Sequence, residues 1–349
     1  MKRRISRKVK VGNVYVGGDA QITIQSMTTS HTKDVDATLK QINDLYNAGC
    51  DIIRCAVLDM EDAEKLKEVT AKSPIPVVAD IHFDYRLALK AIENGVSALR
   101  INPGNIGSID RIKAVAESCK EKQIPIRIGV NSGSLEKDIL EKYGKVNAEG
   151  LVESALRHVK ILEDLEFYDI VISIKSSNVP MMIECYRLVA EKCDYPLHLG
   201  VTEAGTVQRG TIKSSIGIGT LLAEGIGDTI RVSLTSNPLE EIKVAKEILR
   251  SLGIIKNGVE FISCPTCGRT QINLIKIAEE VEKRLENCEK NIKVAVMGCV
   301  VNGPGEARES DIGIAGGKGQ GIIFKKGQII KKVKEEELID ALMEEVDKL

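Results

Sequence analysis

The sequence predicts an α/β fold, a (β/α)8 TIM barrel followed by a small α/β domain, and three observations lead to it. Eight short β-branched runs, each followed by an amphipathic helical pattern, succeed one another between residues 22 and 252. Such alternation builds a parallel sheet with helical crossovers, and eight repeats close it into a barrel. After Gly258 the pattern changes to two cysteine-bearing segments around a single helix. The 349 residues hold both parts, since a barrel takes about 250 residues and leaves about 100. The division expected is 1–255 for a substrate-binding barrel and 256–349 for a second domain.

The elements follow in order. ITIQSM (22–27) precedes a helix over 34–48, and IIRCAV (52–57) one over 61–70. VVADIHF (77–83), ALRINP (98–103), PIRIGVN (125–131), IVISIKS (170–176), LHLGVTE (197–203) and TIRVSL (229–234) continue the rhythm. An open doubly wound sheet fits less well, because its Gly-rich phosphate loop follows the first strand, whereas Gly17-Gly18-Asp19 precedes it. In the second part a short strand reaches CPTCG (264–268), a helix covers 271–287 and KVAVMG (293–298) reads as a strand. Gly-rich polar text follows, then GIIF and QIIKKV flanking a KKG turn as a hairpin, and a closing helix over 335–346.

Composition narrows the function. Apolar residues make up 43 %, but with no Trp, four Phe and seven Tyr the core is aliphatic and platforms for stacking bases are scarce. A balance of 49 Lys+Arg against 50 Asp+Glu argues against a general nucleic-acid or membrane surface. Six of the first ten residues are basic with no apolar stretch behind them, which reads as a solvated tail rather than a signal peptide. No run of 18 apolar residues occurs, so a cytoplasmic protein is expected. Of nine cysteines, Cys50, Cys55, Cys119, Cys185 and Cys193 sit in apolar or helical surroundings and are expected to be packed thiols.

Side chains two apart on a strand share a face, and the carboxyl ends of barrel strands gather at one mouth. Asp80 and His82, Arg100 and Asn102, Arg127 and Asn131, Ser173 and Lys175, and Arg231 and Ser233 obey that spacing, with Arg54 placed similarly. Five cations in aliphatic strands are costly to desolvate unless anions meet them, and Asp80 and Glu203 cannot neutralise all five. A ligand carrying more than one phosphate supplies the missing charge. His82, His198 and Glu203 also end strands and could exchange protons.

Cys264-Pro-Thr-Cys267 places two thiols at one strand end, and Cys299 follows a second strand. No histidine occurs after His198, which weakens a zinc ribbon and favours an iron–sulfur cluster with three thiolates and an open or oxygen-ligated iron. Zinc or a redox thiol pair remain alternatives, and Glu306, Glu309 and Asp311 are all candidate carboxylates. Two rival functions stay open on this reading: a barrel for phosphorylated or pterin substrates with structural zinc, and a non-enzymatic iron–sulfur redox sensor or nucleic-acid-binding protein using the basic tail and cysteine module.

CPTCGRT (264–270) and MGCVVNGPGEA (297–307), behind ADIHF, LRINPGN, RIGVNSGS, SIKSS and GVTEAG, closely resemble the 4-hydroxy-3-methylbut-2-en-1-yl diphosphate synthase family over nearly the whole chain. The resemblance implies a 4Fe-4S enzyme of the non-mevalonate isoprenoid pathway. It would open the ring of 2-C-methyl-D-erythritol 2,4-cyclodiphosphate and remove water, using two electrons from reduced ferredoxin or flavodoxin. It makes Cys264, Cys267 and Cys299 thiolate ligands of the cluster and Glu306 the fourth ligand. Arg54, Arg127, Lys175, Arg231 and Ser233 would hold the diphosphate, with Arg100, Asn102 and Asn131 in the same segments. Asp80, His82, His198 and Glu203 would shape the polyol end, Glu203 being the better candidate for proton transfer. The length matches the short bacterial form without an inserted domain. The resemblance also implies a homodimer in which the cluster domain of one chain closes the barrel of the other.

Overall fold

The structure, a computed structural model, describes residues 2–286, 288–299 and 307–349. It comprises two compact units, Met1–Leu252 and Gly253–Leu349.

In the first unit the eight runs become eight parallel strands: β3 (Thr23–Met27), β4 (Ile52–Ala56), β5 (Val77–Asp80), β6 (Ala98–Ile101), β7 (Ile126–Asn131), β8 (Ile170–Lys175), β9 (His198–Leu199) and β10 (Thr229–Ile230). Their order runs β8-β7-β6-β5-β4-β3-β10-β9, and a bridge between Ile172 and Leu197 joins the ends into a barrel. The major helices between them start on residues that suit a helix N-terminus. Asp34, Asp59, Asp84, Asn147, Asn178 and Asn237 each accept a hydrogen bond from a first-turn backbone N–H.

The two faces of the strands have opposite chemistry. Outward residues such as Ile53, Ala79, Leu99, Ile128, Ile172 and Leu199 are fully buried and form the core beneath the helices. The inward set includes Gln25, Arg54, Asp80, Arg100, Arg127, Ser173 and Lys175, all buried as well. Its direction is fixed by Arg127, which donates to Gln25 across the lumen between non-neighbouring strands, whereas the adjacent Ser26 bonds to a helix outside the ring.

The amino end of the lumen has an apolar floor. A hairpin of β1 (Val9–Val11) and β2 (Val14–Val16), turning at Gly12 with φ +60°, packs Val11 and Val16 against Ile52, Val78 and Ala98. The expectation of a solvated basic tail is therefore corrected. Arg3 pairs with Asp228 at 3.0 Å, Ser6 donates to the same carboxylate at 2.9 Å, and Arg4 donates to the carbonyls of Ala190, Cys193 and Tyr195. Basic residues that look solvated in the sequence instead meet carboxylates and orphan carbonyls at the base of the barrel.

The second unit holds one five-stranded sheet, with β11 (Val259–Ser263), β12 (Ile292–Met297) and β13 (Ile312–Gly317) parallel, and β14 (Gln320–Lys325) and β15 (Gln328–Lys334) antiparallel. Helices α11 (Leu274–Leu285) and α12 (Leu338–Asp347) cover one face through Ile277, Val281, Leu338 and Leu342. The KKG hairpin forms as expected, with Lys326 and Gly327 both left-handed. The expected stretch of Gly-rich polar text is corrected: it contains the central strand β13. Glycine lowers strand propensity, but Gly313 is required by packing, since a Cβ there would lie 2.4 Å from the Phe324 ring. Among the described residues no helix is long and apolar enough to cross a membrane.

Candidate active site

Strand parity brings the predicted cations together. Asp80 pairs with Arg100 at 3.1 Å and Arg54 at 3.5 Å, and His82 lies 3.8 Å from the same carboxylate on the exposed side. Arg54 otherwise touches the Met27 sulfur at 3.0 Å, a poor acceptor for a guanidinium. Arg127 reaches Gln25, and its Nη2 has no hydrogen-bond partner among the described residues. Lys175 has no carboxylate partner among the described residues. Asn102 is buried, while Asn131 stands beside Lys175 in strand register and Ser233 is half-buried beyond β10.

The charges strain against one another. Burial, reinforced by Arg231 and Arg100, draws Arg54 down to about 10 despite Asp80. Burial and the neighbouring cations likewise draw Arg127 and Lys175 well below their ordinary values. Burial works to raise the Asp80 carboxyl, but Arg54, Arg100, His82 and Arg127 outweigh it and keep the group ionised. Beneath Arg127 a cavity of about 20 Å³, bordered by Val11, Val16, Val171 and Thr229, has room for about one water. A water can accept from Nη2 but cannot neutralise a guanidinium, which stays charged in proteins. The lumen therefore suits an anion with several oxygens.

Two predicted residues sit elsewhere than expected. His198 begins β9 rather than ending it, in one register row with Thr23 and Thr229, wholly buried and with neither ring nitrogen bonded. Burial and then Arg127 and Lys175 hold its imidazole well below the ordinary value, and therefore neutral. Glu203 is exposed after β9 with a left-handed backbone at φ +50°.

One site residue had no sequence signal. Glu241, on α10 (Pro238–Ser251), is buried; its Oε1 accepts from the Leu234 N–H at 3.0 Å and lies 3.7 Å from Arg231, while Oε2 accepts from Ser26 Oγ at 3.0 Å. It matches the fifth cation and ties the loop carrying Arg231 and Ser233 to β3. Its position in an ordinary amphipathic helix concealed that role.

In the second unit the parallel pairing of β11 and β12 brings the segments that follow them to one edge. The Gly298 N–H donates to Cys264 Sγ at 3.1 Å, and the Gln271 N–H closes back onto the Gly298 carbonyl at 3.1 Å. A side chain at Gly298 would press within 3.0 Å of Leu274 and 3.1 Å of Thr270. Cys264 is half-buried, Cys267 exposed and Cys299 buried. N–H donation at Arg269, then the Arg269 and Thr270 side chains, pull the Cys267 thiol below its ordinary value. No three ligating groups converge on a single-ion site among the described residues. Cys264, Cys267 and Cys299 all follow the paired strands β11 and β12, and the Gly298 N–H already meets the Cys264 sulfur, a chemistry that suits a thiolate-held iron–sulfur group.

Glu306 lies outside the described residues. Of the alternatives, Asp311 accepts the Lys293 N–H at 2.9 Å at the start of β12, roughly 15 Å or more from the cysteine edge. Glu309 is exposed on the turn preceding β13. The other thiols are packing groups: Cys50, Cys55, Cys119 and Cys185 are buried, and Cys193 and Cys288 are half-buried, Cys288 against the second unit's core.

Comparison with known proteins agrees with both units. The GcpE TIM-barrel domain matches residues 6–246 and the GcpE protein C-terminal domain matches 260–348. The 4-hydroxy-3-methylbut-2-en-1-yl diphosphate synthase (flavodoxin) of Clostridium perfringens is 72% identical over 347 residues, covering 99% of both chains. That of Clostridium acetobutylicum is 72% identical over 349 residues, covering 100% of both, and that of Geobacter sulfurreducens is 58% identical over 344 residues, covering 99% of this chain and 98% of its own. Among solved structures, 7,8-dihydropteroate synthase from Vibrio fischeri ES114 superposes with a TM-score of 0.51 at 13% identity, covering 71% of this chain and 99% of its own, which is a likeness of barrel fold alone. By both of its domains and by its similarity to these synthases, the chain belongs to the GcpE family.

Proposed function

We infer that the barrel lumen holds a cyclic diphosphate and that the cysteine edge of the second unit holds the redox cofactor. The activity is that of the family. The enzyme reductively opens the ring of 2-C-methyl-D-erythritol 2,4-cyclodiphosphate and eliminates water, giving 4-hydroxy-3-methylbut-2-en-1-yl diphosphate with two electrons from reduced flavodoxin or ferredoxin on a 4Fe-4S cluster. The observation that carries the site assignment is the unpaired guanidinium charge of Arg127 inside the lumen.

Arg54, Arg127, Lys175 and Arg231, with Ser233, grip the diphosphate, and Asp80 orients Arg54 and Arg100 as their forks open toward it. Asn102 and Asn131 line the same mouth. His82 and Glu203, on its solvent side, hold and deliver the proton that the departing hydroxyl needs. His198, neutral and buried, packs below the ligand rather than carrying charge to it. Cys264, Cys267 and Cys299 hold the cluster, with Glu306 as the fourth ligand. Bound there, the cluster would supply the two electrons and a Lewis-acid iron. Glu241 positions Arg231: E241A is expected to raise KM for the cyclic diphosphate about tenfold at nearly unchanged kcat, the cost of one hydrogen bond to a charged group. E241Q, still able to accept from the Leu234 N–H, should recover most of that loss. A lowered Tm without a KM change would leave Glu241 merely structural.

We further propose a cytoplasmic homodimer in which the cluster-bearing unit of one protomer serves its partner's barrel. The reduced flavodoxin or ferredoxin that the reaction needs suits a reducing compartment. Mixing chains tests both halves of this reading together. R127M and C264A are each expected to be inactive alone. Co-refolded in equal amounts, they should recover about one quarter of wild-type activity, because half the dimers are mixed and each mixed dimer has one intact barrel facing one intact cluster. No recovery would place both functions within one chain.

A further inference from the structure

Lys175 ends β8 inside the lumen, buried, with no carboxylate partner among the described residues. The charged and titratable groups around it are Arg54 from β4, Arg100 from β6, Arg127 from β7, Arg231 after β10 and neutral His198 from β9, with Asp80 of β5 as the carboxylate of the lumen. Asn131 stands beside it in register, and a Cβ at Gly200 would lie 3.4 Å from its Nζ. Glu241 is engaged with Arg231. With that pair matched, the guanidinium groups of Arg54, Arg100 and Arg127 stand against the single charge of Asp80, leaving a surplus of two positive charges before Lys175 is counted.

In a cyclic diphosphate each phosphorus carries one ester and one anhydride linkage and so one ionised oxygen, which gives two negative charges near neutrality. Ring opening releases a terminal diphosphate with about three, since its last ionisation falls near pH 6. The lumen with an uncharged Lys175 matches the first ligand, and with a charged Lys175 it matches the second. We propose that Lys175 is the site's charge-matching base, its amine unprotonated in the empty and substrate-bound barrel and binding one proton from solvent when the ring-opened diphosphate forms. Burial and the surrounding guanidinium groups, which draw its ammonium well below the ordinary lysine range, favour the uncharged amine in the empty barrel. The step moves one proton onto Nζ and no electrons. Product affinity then weakens as pH rises through the lysine's value in the product complex, while substrate affinity does not follow that titration.

This inference rests on the diphosphate occupying the lumen. The test is calorimetric titration of anaerobic holoenzyme at pH 8 with the cyclic substrate and, separately, the ring-opened product, each in buffers of different ionisation enthalpy. Product binding is expected to take up about one proton more than substrate binding. In K175R, which is charged in every state, the difference should vanish while product still binds. In K175M, product affinity should fall about tenfold more than substrate affinity. Equal uptake for both ligands overturns the proposal, and so does a difference that persists in K175R, which would move the proton to another base such as His198. If neither K175M nor R127M alters the affinity of either ligand, the lumen reading itself fails.

Discussion

Replacing Cys264 by alanine is expected to remove the iron and lower turnover more than about 100-fold, since loss of a ligand exceeds the 10- to 100-fold effect typical of its hydrogen-bonded neighbours. The fold should survive. Cys264 lies at the margin of the second unit's core, which is carried by Val281, Val294, Ile314, Ile323 and Leu342, all fully buried. Far-ultraviolet circular dichroism of C264A should therefore match the wild type, while iron and sulfide analysis and the visible spectrum show the loss. C299A should behave the same way. Full turnover in either variant, or one zinc without sulfide in the wild type, would remove the cluster from this edge.

The second large effect combines a loss with a gain. Among the described residues Arg127 is buried, hydrogen-bonded to Gln25, and crowded by the like charges of Arg54, Arg100 and Arg231. Taking such a charge out of water carries a desolvation penalty that no carboxylate partner among these residues repays, and an apolar side chain of similar length is spared it. R127M is therefore expected to leave the ligand-free protein as stable as the wild type or raise its Tm by a few degrees. Its affinity for the cyclic diphosphate should fall about 100-fold or more, because a desolvated cation no longer meets the phosphate oxygens. Calorimetric binding and thermal unfolding of the same preparation check both parts. A lower Tm with unchanged affinity would make Arg127 a structural residue and place the diphosphate elsewhere. The expected pattern is that of a site whose charge is held at the expense of stability.

Much of the fold and of the site is legible in residue order. A two-residue period decides which residues of one strand share a face, and barrel closure gathers the strand ends at one mouth, so the sequence groups Asp80, Arg100, Arg127 and Lys175 once the barrel is inferred. The barrel follows from eight alternations, and the cysteine edge from two thiols three apart plus one after a second strand. Local chemistry also sets the helix starts, because Asp34, Asp59 and Asn147 satisfy backbone donors within their own turns.

Other features depend on partners far away in the chain. Ser26 and Glu241 are 215 positions apart, and Arg3 meets Asp228 across 225, so neither the carboxylate that answers Arg231 nor the docked tail has a local signature. The strand β13 is hidden because Gly313 is required by the Phe324 ring and Gly316 by Ile272, rather than by strand propensity. The depth of His198 depends on register with Thr229, which strand pairing sets and residue order does not. Residue type and short spacing thus specify the chemistry that the chain carries, since they define faces and ligand sets. Which charges the protein answers and which it leaves for the ligand emerges only when the barrel closes, because that balance is a sum over side chains converging from every strand.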